Sequence, residues 1–146
     1  MRAVQTWEDF DNFVDTMDEK PNLDDFPRCD LSRPIVNFDE VYNNGARFIV
    51  PPFVHYEIQR GLLIKPNNKH VQAYNRLLEN CELGEMTTTA WKKAAEIYAD
   101  LYAKRFTVKD SDIVIAAFCI VNGYTLVTNN TKDFENMDGL TFVDWV

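Results

Sequence analysis

The sequence predicts an α/β fold in three layers, with a central and mostly parallel sheet between helices. Two short apolar strands, at residues 47–50 and 124–128, are separated by helical segments. A strand that continues through a helix into another strand normally forms a parallel pair with it. The tract from Lys109 to Phe134 shows this order most clearly, because a nearly all-apolar helix is closed by Gly123 and followed by a buried strand.

Apolar residues at helical spacing predict two helices in the first 45 residues. One covers about residues 7–17 with Thr6 as its N-cap, and the other starts at Pro34 and stops at Gly45. Residues 20–33 contain prolines and charges without periodicity, which predicts a long loop.

Four more helices are predicted. The Pro51-Pro52 pair starts the first, residues 68–79 form the second, Thr87 or Thr88 caps the third, and Asp110 or Ser111 caps the fourth. The first of these helices runs through Val54, Ile58, Leu62 and Leu63. The third is expected to fill a broad inward face with Ala90, Trp91, Ala94, Ala95, Ile97, Tyr98 and Leu101.

Composition limits the classes of function. The chain has 146 residues, of which 46% are apolar, enough for the core of a single domain. No apolar run approaches the roughly 20 residues that cross a bilayer, and the acidic N-terminus does not resemble a signal peptide, so we expect a soluble cytoplasmic protein with no membrane partner.

Cysteine and histidine usage excludes two kinds of site. Three cysteines without a C-x-x-C pair predict neither a disulfide framework nor a thiolate zinc site, and two histidines exclude a histidine-rich one. Cys119 is expected in the core. The net charge of −8 is unusual for a protein that binds a phosphate backbone, so a metal or a basic partner would have to offset it.

Four carboxylates from three segments are expected at one rim of the sheet. Glu57 follows the Pro51-Pro52 pair, Asp110 and Asp112 begin the apolar helix, and Asp133 follows the last strand at the edge where α/β sheets bind ligands. Clustered acids repel each other unless a cation neutralises them, and Mg²⁺ or Mn²⁺ prefers carboxylate and water oxygens. The pattern predicts a metal site that activates water for attack on a phosphodiester.

Each acid also has a purely structural explanation. Asp110 or Asp112 would serve as a helix cap, and Glu57 would be an exposed helical residue. Asp133 would stabilise a turn with Asn129 and Asn130.

The segments IVPPFVHYEIQRGLL and DSDIVIAAFCIVNGYTLVTNNTKDFENMDGLTFVDW resemble the PIN-domain family, particularly bacterial VapC-type toxins. We expect a single domain of residues 1–146. The resemblance covers residues 34–146, and residues 1–33 form an atypical N-terminal segment. It implies a metal-dependent endoribonuclease, the toxin of a type II toxin-antitoxin system, which hydrolyses RNA phosphodiester bonds.

The resemblance also implies the site residues. They are Glu57, Asp112, Asp133 and Asn130, with Thr128 as an orienting hydroxyl and Asp110 as an extra acid. The family's first motif, a short strand ending in Asp-Thr-Asn, has its nearest match at residues 13–17, where Met17 replaces Asn and the periodicity is helical. This match makes Asp15 the first acid, with Asp18 and Asp30 as substitutes. The implied ligands of Mg²⁺ or Mn²⁺ are Glu57, Asp112, Asp133 and Asp15.

The implied partners are an RNA substrate, a VapB-like antitoxin and a second copy of the chain. An antitoxin arginine in the acidic cleft would neutralise the carboxylates that otherwise hold the metal.

Two other interpretations stay open. A noncatalytic or truncated PIN-like module would bind RNA or a protein without cleavage. The Asp-x-Asp-x-Val sequence at 110–114 has the form of the nucleophile motif of haloacid-dehalogenase-like phosphatases, but the preceding residues form a poor strand.

Overall fold

The computed structural model describes residues 45, 47–128 and 130–144. The predictions for residues 1–44, including the first acid at Asp15, lie outside this part of the chain. In chain order the elements are β1 (Ile49–Val50), α1 (Pro52–Ile64), α2 (Asn68–Asn80), β2 (Glu82–Leu83), α3 (Thr88–Ala103), α4 (Asp110–Asn122), β3 (Thr125–Val127), a 3-10 helix (Thr131–Asp133) and β4 (Thr141–Val143).

The described strands form two parallel pairs. β1 pairs with β2, with Ile49 opposite Glu82, and β3 pairs with β4, with Thr125 opposite Thr141. Parallel neighbours need a crossover connection, and α1 and α2 provide it between β1 and β2. The predicted α/β class with parallel pairing is confirmed. β2 and β4 were not predicted, because strands of two and three residues carry almost no periodic signal.

Helix α4 lies at the centre of the described structure. It packs against α1, α3 and β3, and it is buried on nearly every side, as its apolar sequence predicts. The buried apolar residues of α4 are Ile113, Ile115, Ala116, Ala117, Phe118 and Cys119. Gly84, just after β2, packs so closely on α4 that a Cβ atom there would lie 2.3 Å from the ring of Phe118.

Helix α3 buries a narrower face than the sequence predicted. Ala90, Ala94, Ile97 and Leu101 are buried at the expected spacing. Trp91 and Tyr98, predicted to point inward, are each 53% exposed, and Ala95 is also exposed. Leu63, near the end of α1, is 78% exposed. The predictions for Trp91, Ala95 and Tyr98 were wrong, because apolar spacing alone does not show how wide a face the neighbouring elements cover.

Local signals at the helix ends were mostly confirmed. Pro52 starts α1, and the Thr87 side chain caps α3 by accepting a 3.1 Å hydrogen bond from the amide of Ala90. Gly123 ends α4 in the left-handed region, with φ of 67°. The prediction that Asp110 or Ser111 caps α4 was wrong, because Asp110 is already the first helical residue and no side chain makes a cap bond there.

Arg47, expected in a buried strand, is exposed at the edge of the β1–β2 pair. Its Nε donates a 2.8 Å hydrogen bond to Oε1 of Glu82. This hydrogen bond raises the pKa of Arg47 and lowers the pKa of Glu82. The pair therefore links the two parallel strands from the solvent side.

Candidate active site

Three polar or charged side chains are buried in the described part of the chain, apart from Tyr74. Glu57 is 8% exposed, Asp112 is 3% exposed and Thr128 is 4% exposed. All three are residues that the sequence analysis selected. Carboxylates are rarely buried this deeply in globular proteins unless cations or hydrogen bonds compensate for the lost hydration.

Asp112 is positioned by the first turn of α4. Because α4 is buried on nearly all sides, a residue in its first turn can be drawn into the interior. The partial positive charge of the helix N-terminus favours a carboxylate in this turn. Asp110, two residues earlier, is exposed. The structure thus separates two neighbouring acids into one interior and one surface position.

Glu57 is positioned by α1, which contacts α4. The two buried carboxylates therefore lie on helices that pack against each other. Oε1 of Glu57 is 3.7 Å from Nη2 of Arg60, one turn further along α1. The Arg60 guanidinium also lies over the ring of Tyr56, 5.3 Å from its centroid, so Arg60 contacts both Glu57 and the residue before it.

Thr128, Asn130 and Asp133 form a hydrogen-bonded turn after β3. The backbone amide of Asn130 donates a 3.0 Å hydrogen bond to Oγ1 of Thr128. The side-chain Nδ2 of Asn130 donates a 2.5 Å hydrogen bond to Oδ2 of Asp133. The backbone amide of Thr128 donates to Val143, which fixes the start of the turn against β4. The structure therefore brings these three predicted residues into one connected unit.

A complete metal-binding group is not formed by residues 47–128 and 130–144 alone. No three His, Cys, Asp or Glu side chains of these residues are placed to hold a metal ion together. Mg²⁺ commonly binds one or two carboxylates and several waters, so an oxygen-only pair such as Glu57 and Asp112 fits Mg²⁺ or Mn²⁺ chemically. The full ligand set with Asp133 and Asp15 stays a prediction.

Sequence reasoning missed the contact between His55 and Tyr74. Nδ1 of His55 lies 2.6 Å from the hydroxyl of Tyr74, which is fully buried. Burial raises the pKa of Tyr74 above its ordinary value. The contact joins α1 to α2 two residues before Glu57. No sequence signal identified this pair, because the two residues are far apart in the chain.

The part of the chain with described coordinates contains no helix with both the length and the apolar composition of a membrane span.

Parallel strand pairs between helices define the class as an α/β domain, and two of its contacting helices each carry a buried acid. The comparisons give the family. The PIN domain profile matches residues 32–140, and the chain belongs to the PIN-domain family.

The matched relatives are VapC proteins. Ribonuclease VapC1 of Rickettsia felis is 48% identical over 110 residues, covering 75% of this chain and 67% of that protein. Ribonuclease VapC of Rickettsia bellii is 31% identical over 108 residues, covering 71% of this chain and 75% of that protein. The predicted resemblance to VapC-type proteins is confirmed.

A solved structure shares the fold. The crystal structure of VapBC2 from Rickettsia felis bound to a DNA fragment from their promoter contains a chain with a TM-score of 0.73 and 17% identity. The similarity covers 100% of both chains.

Proposed function

We propose that this protein is a metal-dependent endoribonuclease that acts as the toxin of a type II toxin-antitoxin pair in the cytoplasm. The observation that carries the proposal is the burial of Glu57 and Asp112 on two contacting helices. Ribonucleases named VapC are its relatives, and a buried acidic pair is the chemistry that a metal-dependent nuclease needs.

In this proposal Glu57 and Asp112 hold Mg²⁺ or Mn²⁺, with Asp15 and Asp133 as further ligands. When bound, the ion would lower the pKa of a water molecule and stabilise charge on the phosphate during hydrolysis. Asn130 holds the Asp133 carboxylate, and Thr128 holds the backbone of Asn130. These contacts orient the turn, while Asp110 adds negative charge at the exposed rim.

RNA binding must overcome the net charge of −8. Candidates for contacts with the RNA backbone are Arg60, Lys65, Lys69, Lys104, Arg105, Lys109 and Lys132. Lys104 is the weakest of these, because its ammonium group lies 2.7 Å from Asp100 and 3.0 Å from Asp138. These hydrogen bonds raise the pKa of Lys104 and engage its ammonium group with carboxylates of the same chain.

We also propose a VapB-like antitoxin and a homodimer as the protein assemblies. The fold shared with a chain of a VapBC complex supports the first. An antitoxin arginine would fit an acidic cleft, since a guanidinium can form two hydrogen bonds with a carboxylate.

The second candidate is a noncatalytic PIN-like module. It is favoured by the lack of a three-residue metal-binding group within residues 47–128 and 130–144. Such a protein would bind RNA or a partner protein through the same surface without hydrolysing the RNA.

Cleavage assays on structured RNA separate the two candidates. We expect cleavage with Mg²⁺ or Mn²⁺, none with excess EDTA, and a loss of at least about a hundredfold in Asp112→Ala and Glu57→Gln. Glu96→Gln is the control, because Glu96 is an exposed glutamate on α3. Equal behaviour of wild type and Asp112→Ala would remove the nuclease proposal and leave the binding module.

A further inference from the structure

Arg60 contacts two neighbours of different character, a buried carboxylate and an exposed aromatic ring. Its guanidinium reaches toward the buried Glu57 carboxylate, with 3.7 Å between Nη2 and Oε1, and it also stacks on Tyr56 at 5.3 Å from the ring centroid. The Arg60 side chain is 51% exposed, whereas that of Glu57 is 10% exposed. Arg60 therefore contacts a buried carboxylate while about half of its own side chain stays exposed.

We propose that Arg60 has two alternative anionic partners, the Glu57 carboxylate and a backbone phosphate of the RNA. In the metal-free protein it compensates the charge of Glu57, and once a divalent ion occupies Glu57 it binds a backbone phosphate of the RNA. This inference rests on the proposed function, because it takes Glu57 as a metal ligand.

The exchange of Arg60 from Glu57 to an RNA phosphate follows from the charges of the three groups and the metal ion. A carboxylate buried to this degree is unfavourable without positive charge nearby, and the guanidinium supplies some of it. A divalent cation at Glu57 carries the same sign as Arg60 and repels it. The distance of 3.7 Å is longer than a strong charge-assisted hydrogen bond, so the ion pair can be given up at little loss.

Tyr56 keeps the guanidinium of Arg60 close to Glu57 after the ion pair is broken. The ring holds Arg60 beside the acidic site by a cation-π contact instead of leaving it free in solvent. Tyr56 is itself 53% exposed. A stacked arginine with free N–H groups suits a phosphate, which guanidinium groups bind through two parallel hydrogen bonds. Metal binding and RNA binding would thereby support each other at Glu57.

Mn²⁺ titration of the purified toxin without RNA tests the first half of the exchange. Arg60→Gln removes the repelling charge, so the Kd for Mn²⁺ should fall by about three- to tenfold, a modest effect because the group is half-exposed and screened. Arg60→Lys should keep the wild-type Kd. The control is Lys93→Gln, since Lys93 forms an i,i+3 pair with Glu96 at 3.8 Å on α3. Its Kd should stay at the wild-type value.

Steady-state cleavage kinetics test the second half. Arg60→Gln should raise KM for RNA about tenfold while kcat changes less than about threefold, and the dependence of log KM on log salt should weaken by about 0.7 to 0.9 for one lost phosphate contact. Arg60→Lys should restore part of the wild-type KM, because it keeps the charge but loses the planar guanidinium group that lies over Tyr56. Lys93→Gln should leave KM unchanged.

The possible failures are distinguishable. Weaker or unchanged Mn²⁺ binding in Arg60→Gln overturns the exchange, even if Glu57→Gln abolishes Mn²⁺ binding and so supports the proposed function. Unchanged Mn²⁺ binding in Glu57→Gln overturns both, because Glu57 would then not be a metal ligand. A fall in kcat with constant KM in Arg60→Gln assigns Arg60 a role in catalysis and also overturns the exchange.

Discussion

Helices α3 and α4 pack against each other, but they differ in whether their carboxylates are exposed or buried. α3 buries one stripe of four apolar residues and exposes its carboxylates at least partly. α4 buries seven of its 13 residues, including the Asp112 carboxylate. α3 has a side-chain cap at Thr87, and α4 has none.

This difference between the two helices distinguishes residues that stabilise the fold from residues whose position stability does not explain. The apolar stripe and the Thr87 cap of α3 follow the rules that make a surface helix stable. The first turn of α4 departs from them, because a carboxylate is placed in the interior where it loses hydration. Departures of this kind concentrate at functional sites. We therefore attribute the buried position of Asp112 to the proposed metal site and not to helix stability.

The largest expected effect contrasts the two acids of that turn. Asp112→Ala should lower kcat/KM for RNA cleavage by at least about a hundredfold, whereas Asp110→Ala should lower it by less than about tenfold. The reason is that Asp112 is buried and Asp110 is exposed. Cleavage rates of the two variants, with circular dichroism to verify folding, provide the measurement. Equal losses would show that burial does not distinguish their roles.

Gly84→Ala should be the most destabilising small substitution against α4. The added Cβ would lie 2.3 Å from the Phe118 ring, and overpacking of this kind costs about 1–3 kcal/mol. Thermal unfolding should show a Tm lower by about 5 °C. In a Phe118→Leu background the same change should have a smaller effect. An equal effect in both backgrounds would mean that backbone conformation, not the ring contact, requires glycine.

Cys119 should make the stability of α4 depend on alkaline pH. Burial raises the pKa of this thiol from about 9 to about 12. Unfolding exposes the thiol to water, where it loses its proton at a lower pH. The free energy of unfolding should therefore fall as pH rises above 9, by about 1.4 kcal/mol between pH 8 and pH 10 relative to Cys119→Ala. Urea unfolding at both pH values measures the difference. Parallel pH profiles for the two proteins would contradict it.

The smallest effect concerns the helix starts. Thr87→Ala should destabilise the protein by about 1 kcal/mol, because the amide of Ala90 loses its acceptor. Lys109→Ala should change the stability by much less, since Lys109 precedes α4 without a side-chain cap bond. Urea midpoints of the two variants give the comparison, and a larger loss in Lys109→Ala would reverse it.

The sequence predicted the described helices better than the sheet. Prolines, threonine caps and Gly123 act within a few residues, so α1, α3 and the end of α4 could be placed from local chemistry. β2 is two residues long and exposed, and it exists because Ile49 and Val50 pair with it. A partner that is distant in the chain leaves no local pattern to recognise.

The site was predicted for a different reason. Glu57, Asp112 and Thr128 were selected by their order and by family resemblance, and all three are buried. Periodicity could not have shown this, since it assigned Trp91 and Tyr98 to the interior and both are half-exposed. The contacts of Arg60 with Tyr56 and Glu57 depend on rotamers that spacing alone does not determine.

The parallel pairing of the strands affects the order in which the chain folds. No two strands consecutive in the chain are joined by a tight turn in the described structure, because helices separate β1 from β2 and the 3-10 helix lies between β3 and β4. Each pairing must close a long loop before it gains any hydrogen bond, whereas α3 and α4 are neighbours and can dock early. We expect substitutions between these two helices to slow folding, and those in the strand pairs mainly to speed unfolding.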